Sequence, residues 1–271
     1  MCASQTTGNT NRRALIQWCM SSQLFTEASL KEALARIYTE EAAADLELPA
    51  EIEQINTTLA LLSLQIRSAM DQHTGDRLYA LVNTNADKIS TGATPYTATE
   101  LSMLKHLIEL IFTSTDGNYA VDLHTATRAI SSLGAATFAR RDAQDLIDRM
   151  CTDGWLEKTE ESGYVVVGQR ALIELQSYFN DGFGDYVRFC SLCKEMATCG
   201  LVCNQCEEPV HPFCADQILK SVGSLSCPKC HQPMSDAVRF GASENGVSHN
   251  LVDTPQAVRD REMTSELAET I

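Results

Sequence analysis

Basic residues are scarce in this chain. Twenty-one lysines and arginines stand against 36 aspartates and glutamates, a formal net charge of −15 over 271 residues. Such a surface repels polyanions, so direct contact with DNA or RNA needs a local basic patch or a basic partner, and little of it is expected. Long apolar runs are also missing: none reaches the ~18 uninterrupted residues of a membrane span. Met1 to Arg12 are polar and lack the apolar core of a signal peptide. Neither membrane insertion nor secretion is therefore expected. What is present is ample for folding. Hydrophobic residues make up 44% and charged ones 21%, which excludes wholesale disorder, and the length allows two or three small domains.

Cysteine is abundant but unevenly placed. Eight of the eleven lie between Cys190 and Cys230, while Cys2, Cys19 and Cys151 are scattered. Clustering of this kind reads as a metal site in a reducing compartment, cytosol or nucleus, rather than a disulfide framework.

Periodicity divides the chain further. Residues 1–10 read as a flexible start. In residues 11–90, Leu15, Trp18 and Cys19 share a helical face, and Leu30, Leu34 and Ile37 mark a second helix with a Ser29–Glu32 capping box. A third helix runs from near Pro49 to Leu61. Leu62, Leu64 and Ile66 then alternate with polar residues, as do Leu78, Ala80 and Val82 after the turn Thr74-Gly75-Asp76, giving a hairpin. The order recurs over residues 97–187, after a linker at 91–96. Helices are expected over Thr97–Phe112, Leu123–Leu133 and Ala139–Cys151. Strands Trp155–Lys158 and Tyr164–Val167 flank Glu160-Glu161-Ser162-Gly163, and a helix Gln169–Asn180 closes the unit. Three helices and a hairpin, twice, is the pattern of tandem winged-helix domains. Residues 188–234 hold the cysteine cluster, and the acidic stretch 235–271 reads as a disordered tail. The fold class is thus α+β.

The third helix of a winged-helix unit is the element that usually enters the DNA major groove. Here Arg140, Arg141 and Arg149 are cancelled by Asp142, Asp145 and Asp148. Residues 95–187 hold 14 acids and 7 bases, and residues 1–94 hold 11 and 7. A platform for protein docking fits this better than a DNA reader.

The cluster reads Cys-x2-Cys-x9-Cys-x2-Cys-x4-His-x2-Cys-x12-Cys-x2-Cys from Cys190 to Cys230. Each Cys-x2-Cys turns two thiolates towards one point, as tetrahedral zinc requires, and the eight ligands suffice for two closed structural sites. Cross-bracing puts Cys190, Cys193, His211 and Cys214 on one zinc and Cys203, Cys206, Cys227 and Cys230 on the other; sequential pairing is the alternative. Cys199 reads as a bystander, and His231 as pointing away from the ligands. Closed zinc sites do no chemistry, so no catalytic residue is expected. Their metal-binding free energy replaces a core that ~45 residues cannot supply.

Cross-braced folds with this ligand order resemble RING-type ubiquitin ligases and PHD fingers. A PHD finger usually carries tryptophan just before its seventh ligand, where this chain has Leu225, and Phe189 and Phe213 alone cannot build a methyl-lysine cage. The RING features are Leu192, immediately before the second ligand, and Pro228, immediately after the seventh. In RING ligases these positions grip a ubiquitin-conjugating enzyme, and Ile218, Leu219 or Val222 would complete the groove, with Leu219 the favoured contact. An active RING often has arginine after its last ligand; His231 stands there.

Together with the stretch Asp76-Arg77-Leu78-Tyr79-Ala80-Leu81-Val82-Asn83, these features resemble the non-SMC element one family, a subunit of the eukaryotic SMC complex devoted to DNA repair. The resemblance covers about residues 11–234. It implies a nuclear, chromatin-associated protein acting in DNA repair and recombination. Its winged helices would dock a MAGE-domain partner, and the pair would join a kleisin subunit that bridges the SMC heterodimer. It also implies a variant RING that positions a ubiquitin-loaded conjugating enzyme, with a purely structural subunit as the alternative.

Overall fold

The computed structural model describes residues 2–38, 47–84, 95–114, 117–133, 138–159, 163–243 and 246–247. The first unit comprises α1 (Cys2–Ser22), β1 (Leu24–Thr26), α2 (Glu27–Ile37), α3 (Leu48–Leu59), a 3-10 turn (Ala60–Leu62), β2 (Leu64–Met70) and β3 (Arg77–Asn83). Residues 2–10, expected to be flexible, instead extend α1 to Cys2. The apolar spacing of the three helices gathers Leu15, Cys19, Leu30, Leu34 and Ile55 onto Ile66 and Tyr79 of the sheet. The capping box of α2 is Thr26 with Ser29, not Ser29 with Glu32: Thr26 Oγ1 accepts from the Ser29 amide (3.2 Å) and Ser29 Oγ from the Thr26 amide (3.0 Å). The cause is β1, whose pairing of Phe25 with Tyr79 fixes the chain up to Thr26, so the helix starts three residues earlier. Strand order is β1-β3-β2. The β2 edge is covered by side chains. Asn56 holds both the Ile66 amide (2.7 Å) and the Ile66 carbonyl (3.0 Å), and Glu195 accepts from the Met70 amide (2.7 Å).

One buried carboxylate ties the helices of this unit together. Glu51 accepts from Arg12 Nε (2.8 Å) and Nη2 (3.1 Å) and from the Tyr38 hydroxyl (2.7 Å). Burial opposes its ionisation, but the Arg12 and Tyr38 hydrogen bonds outweigh that and hold its pKa below the ordinary value. A depressed folded-state pKa contributes stability that is present above the unfolded-state pKa and lost as pH falls through the folded one. Glu51→Gln is therefore expected to destabilise the unit by about 1–3 kcal/mol near neutrality, since it leaves Arg12 without its charged partner. The difference from the parent should shrink on acidification through the carboxylate range, which denaturant titration at a series of pH values would measure.

The second unit repeats the order: α4 (Ala98–Phe112), β4 (Ala120–Asp122), α5 (Leu123–Leu133), α6 (Arg140–Thr152), β5 (Leu156–Lys158) and β6 (Tyr164–Val167), with strands in the order β4-β6-β5. Thr97 and Glu100 cap α4 reciprocally. Two of the three α6 bases are paired: Arg141 with Asp145, and Arg149 with Glu100, the latter also lying 4.8 Å over the Tyr96 ring. Residues 160–162 at the hairpin tip, most of the linker at 91–96, and everything after 247 lie outside the described residues.

The expected helix Gln169–Asn180 is two helices, α7 (Gln169–Glu174) and α8 (Gln176–Phe183), broken at Leu175. The break serves two packing directions at once. Ile173 of α7 packs on Ala80 and Val82, the face of β3 opposite Tyr79, while Phe179 and Phe183 of α8 stack on Phe112 at 4.9 and 5.2 Å. That explains why Leu78 to Val82 is apolar on both faces. Arg170 fastens the joint: it bonds Gln23 (2.6 Å), the Asp153 carbonyl (2.9 Å) and Glu174 (2.6 Å), and lies over Trp155.

The cysteine-rich unit contributes β7 (Gly200–Val202), β8 (Pro209–Val210), α9 (Pro212–Val222) and β9 (Val238–Phe240), with strands in the order β8-β7-β9, then a short hairpin of β10 (Ala242–Ser243) and β11 (Gly246–Val247). Its expected end at 234 is too early, and the tail expected from 235 is structured as far as Ser243. β9 completes the sheet, and Phe240, only 7% exposed, sits between the Tyr119 ring and the Arg188 guanidinium. No described helix is long and apolar enough to cross a membrane.

Candidate metal centres and docking face

Three turns in this unit share one hydrogen-bond pattern. The Cys190, Cys203 and Cys227 amides donate to the carbonyls of Glu195, Glu208 and Gln232, and the Lys194, Glu207 and His231 amides donate back to the Cys190, Cys203 and Cys227 carbonyls. Lys194, Glu207 and His231 all adopt positive φ (66°, 57° and 58°). Each residue after a second cysteine is thus bent left-handed by the turn itself, and His231 is exposed and belongs to neither ligand cluster. The third ligand pair, His211 and Cys214, is built differently. Pro212 opens α9 with its fixed φ, His211 caps the helix, and Cys214 falls in the first turn.

These turns bring Cys190, Cys193, His211 and Cys214 together in one cluster and Cys203, Cys206, Cys227 and Cys230 in another, the donor atoms of each within 4.8 Å of one another. The pairing is first with third and second with fourth. The dimensions suit zinc. Tetrahedral bonds of about 2.3 Å to sulfur set neighbouring sulfurs about 3.8 Å apart; here Cys203 and Cys230 are 3.7 Å apart and Cys206 and Cys227 3.5 Å. His211 presents Nδ1, 3.3 Å from Cys193 Sγ, while its Nε2 donates to the Met196 carbonyl at 3.0 Å. That second bond leaves Nδ1 with a free lone pair, the arrangement of a zinc-ligating histidine. The Cys190 thiol is driven far below its ordinary pKa by hydrogen bonds from Cys193 and then Cys214. Its neighbour Cys214 is driven the other way by the same contacts, so the charge settles on Cys190. Outside the clusters, burial pushes Cys19 and Cys199 up to about 12 and Cys151 up to about 11, leaving inert thiols.

Of the expected conjugating-enzyme contacts, Leu192 stands at the tip of the first turn, 45% exposed, and Pro228 and Leu219 are half-buried. Ile218 is buried in the core and Val222 is exposed, so neither the identity nor the exposure of that third contact follows from spacing alone. Glu208 was not legible as a site residue. It accepts from Ser191 Oγ (2.8 Å) and from Lys229, tying the turn that carries Leu192 to the turn that carries Pro228. Lys229 first, then Ser191, holds the Glu208 carboxyl below its ordinary pKa.

Fold and site together define a two-unit helix-and-hairpin platform carrying a cross-braced domain with two cysteine-rich clusters able to hold metal ions. Residues 190–230 match the family described as RING-like domain. Residues 12–175, more than half of the chain, match the family described as Nse1 non-SMC component of SMC5-6 complex, and the chain belongs to that family. Among curated proteins it is similar to the non-structural maintenance of chromosomes element 1 homolog of Bos taurus, 25% identical over 83% of this chain and 86% of that one. The Schizosaccharomyces pombe protein of the corresponding name is 26% identical over 70% of this chain and 78% of its own. A solved structure described as Nse1-Nse3-Nse4 complex contains a chain with the same fold, at a TM-score of 0.68 and 21% identity, covering 83% of this chain and 96% of that one.

Proposed function

We propose that this chain is the RING-type ubiquitin ligase subunit of a nuclear SMC5-6 complex acting in DNA repair and recombination. Two zinc ions, held by Cys190, Cys193, His211 and Cys214 and by Cys203, Cys206, Cys227 and Cys230, fix the backbone of the domain and take no part in the chemistry. The described complex of the solved relative suggests the partners, a MAGE subunit and a kleisin, docked on the helix-and-hairpin platform; the SMC heterodimer follows through the kleisin. The observation that carries the ligase reading is Leu192, exposed at a rigid turn that Glu208 braces against the turn of Pro228. A conjugating enzyme gripped there holds its ubiquitin thioester folded back for attack by a substrate lysine, catalysis by positioning.

His231 favours a second reading, a structural subunit without ligase activity. It stands where active RINGs often present arginine, with a shorter side chain and a left-handed backbone. Discharge of ubiquitin from a panel of loaded conjugating enzymes, with the MAGE-like partner bound, separates the two. Partner-stimulated discharge that falls at least tenfold in Leu192→Ala supports the ligase. Absence of discharge from every enzyme, with the partner verified as bound, selects the structural subunit.

A further inference from the structure

The tip of the β2–β3 hairpin is built into the cysteine-rich unit. Gln72, 4% exposed, accepts on Oε1 from the Thr198 amide (2.9 Å) and the Cys199 amide (3.3 Å) and donates from Nε2 to Thr198 Oγ1 (3.0 Å). Its own carbonyl accepts from the Phe213 amide at 3.1 Å. Gly75 lies so close to the Phe213 ring that a Cβ there would stand 2.2 Å from the ring edge, and its φ of +77° favours glycine. The Cys199 thiol lies 3.4 Å from His73 Nε2 on the same tip, and Glu195 holds the Met70 amide at the end of β2.

Both gripped segments belong to the first metal centre. Phe213 stands between two of its ligands, His211 and Cys214. Thr198 and Cys199 follow Met196, whose carbonyl orients the His211 ring. A tip that fixes Phe213 on one side and the Met196–Cys199 segment on the other sets where the imidazole stands relative to Cys190 and Cys193. No comparable element of the first unit reaches the second centre among the contacts of the described residues.

We infer that Gln72 is a positioning residue for the first metal centre, coupling metal binding there to docking of the first unit's hairpin. The inference rests on reading Cys190, Cys193, His211 and Cys214 as a metal site. By linkage, a contact that exists only in the metal-competent geometry tightens the metal, and the metal tightens the contact.

The test uses the full chain loaded with cadmium, because a centre of three thiolates and one imidazole and a centre of four thiolates give separate cadmium NMR resonances. Gln72→Met keeps the bulk of the side chain and removes its hydrogen bonds. A chelator should then empty the first centre at about tenfold lower concentration than in the parent, with the second unchanged. Equal shifts at both centres, or none, would overturn the coupling. The unsubstituted chain supplies an independent arm should the variant fail to fold. As chelator rises, exchange protection of the Met70, Thr198 and Phe213 amides should disappear together with the first resonance; protection that outlasts it contradicts the coupling. A chain that gives no first-centre resonance under any loading sinks the metal reading as well as the coupling.

Discussion

Cys190→Ser is expected to release the metal ion of the first centre and loosen the fold around it, while the second ion and the helices of the first two units persist. Zinc binding contributes about 10–16 kcal/mol per structural site in small zinc folds, as much as the whole stability of a typical domain. The buried residues explain why nothing else can substitute. Within residues 189–243 the core includes Met196, Leu201, Val210, Ile218, Met234 and Phe240, too few large side chains to order some fifty residues without the metal. Hydrogen exchange should show protection lost across β7, β8 and α9 and kept in α4 and α6. Cys151→Ser, a half-exposed thiol outside both centres, should leave metal content and protection as they are.

Phe112→Ala should be the most damaging single change in the apolar core, at about 3–5 kcal/mol. The Phe112 ring stacks on Phe179 and Phe183 and meets Tyr119 edge-on at 5.6 Å, so one side chain joins α4 to α8 and to the bend just before β4. Tyr119 in turn donates to the Tyr186 carbonyl and packs on Phe240, which carries the damage into the sheet of the cysteine-rich unit. Ile173→Ala at the joint with β3 removes a contact with only Ala80 and Val82 and their immediate neighbours, and should cost less. Denaturant midpoints of the two variants measure the difference.

These two expectations drew on very different amounts of sequence. The eight ligands follow from spacing, because a Cys-x2-Cys turn is local and its geometry is set by five or six residues. Their cross-braced pairing was read from the ligand order with sequential pairing left open, and the fold decides between them by returning α9 to the first turn and the last turn to the second. The helices α4 and α5 were legible in the sequence. The strands β1 and β4 were not: three residues carry no period, and both exist only because β3 and β6 offer them an edge. The break at Leu175 was equally hidden. Nothing at that residue stops a helix, and it arises because α7 and α8 bury their faces against different units. The end of the cysteine-rich unit was misplaced for a compositional reason. Val238 and Phe240, two apolar residues flanking Arg239 at the head of an acidic stretch, carry too little pattern to read, and only the edge of β7 turns them into a strand. Gln72 and Glu208 are ordinary polar residues in sequence. Their roles come from partners more than 120 residues away in the first case and on two separate turns in the second.

The central claim is that two zinc ions, one in each cross-braced cluster, organise a docking domain fixed to a helix-and-hairpin platform. Native mass spectrometry of the intact chain tests it most directly. The account predicts a mass excess of two zinc ions per chain, with one lost selectively from His211→Ala and the other retained. A single ion, an iron–sulfur cluster, or a chain that stays folded over residues 189–243 with no metal would contradict it.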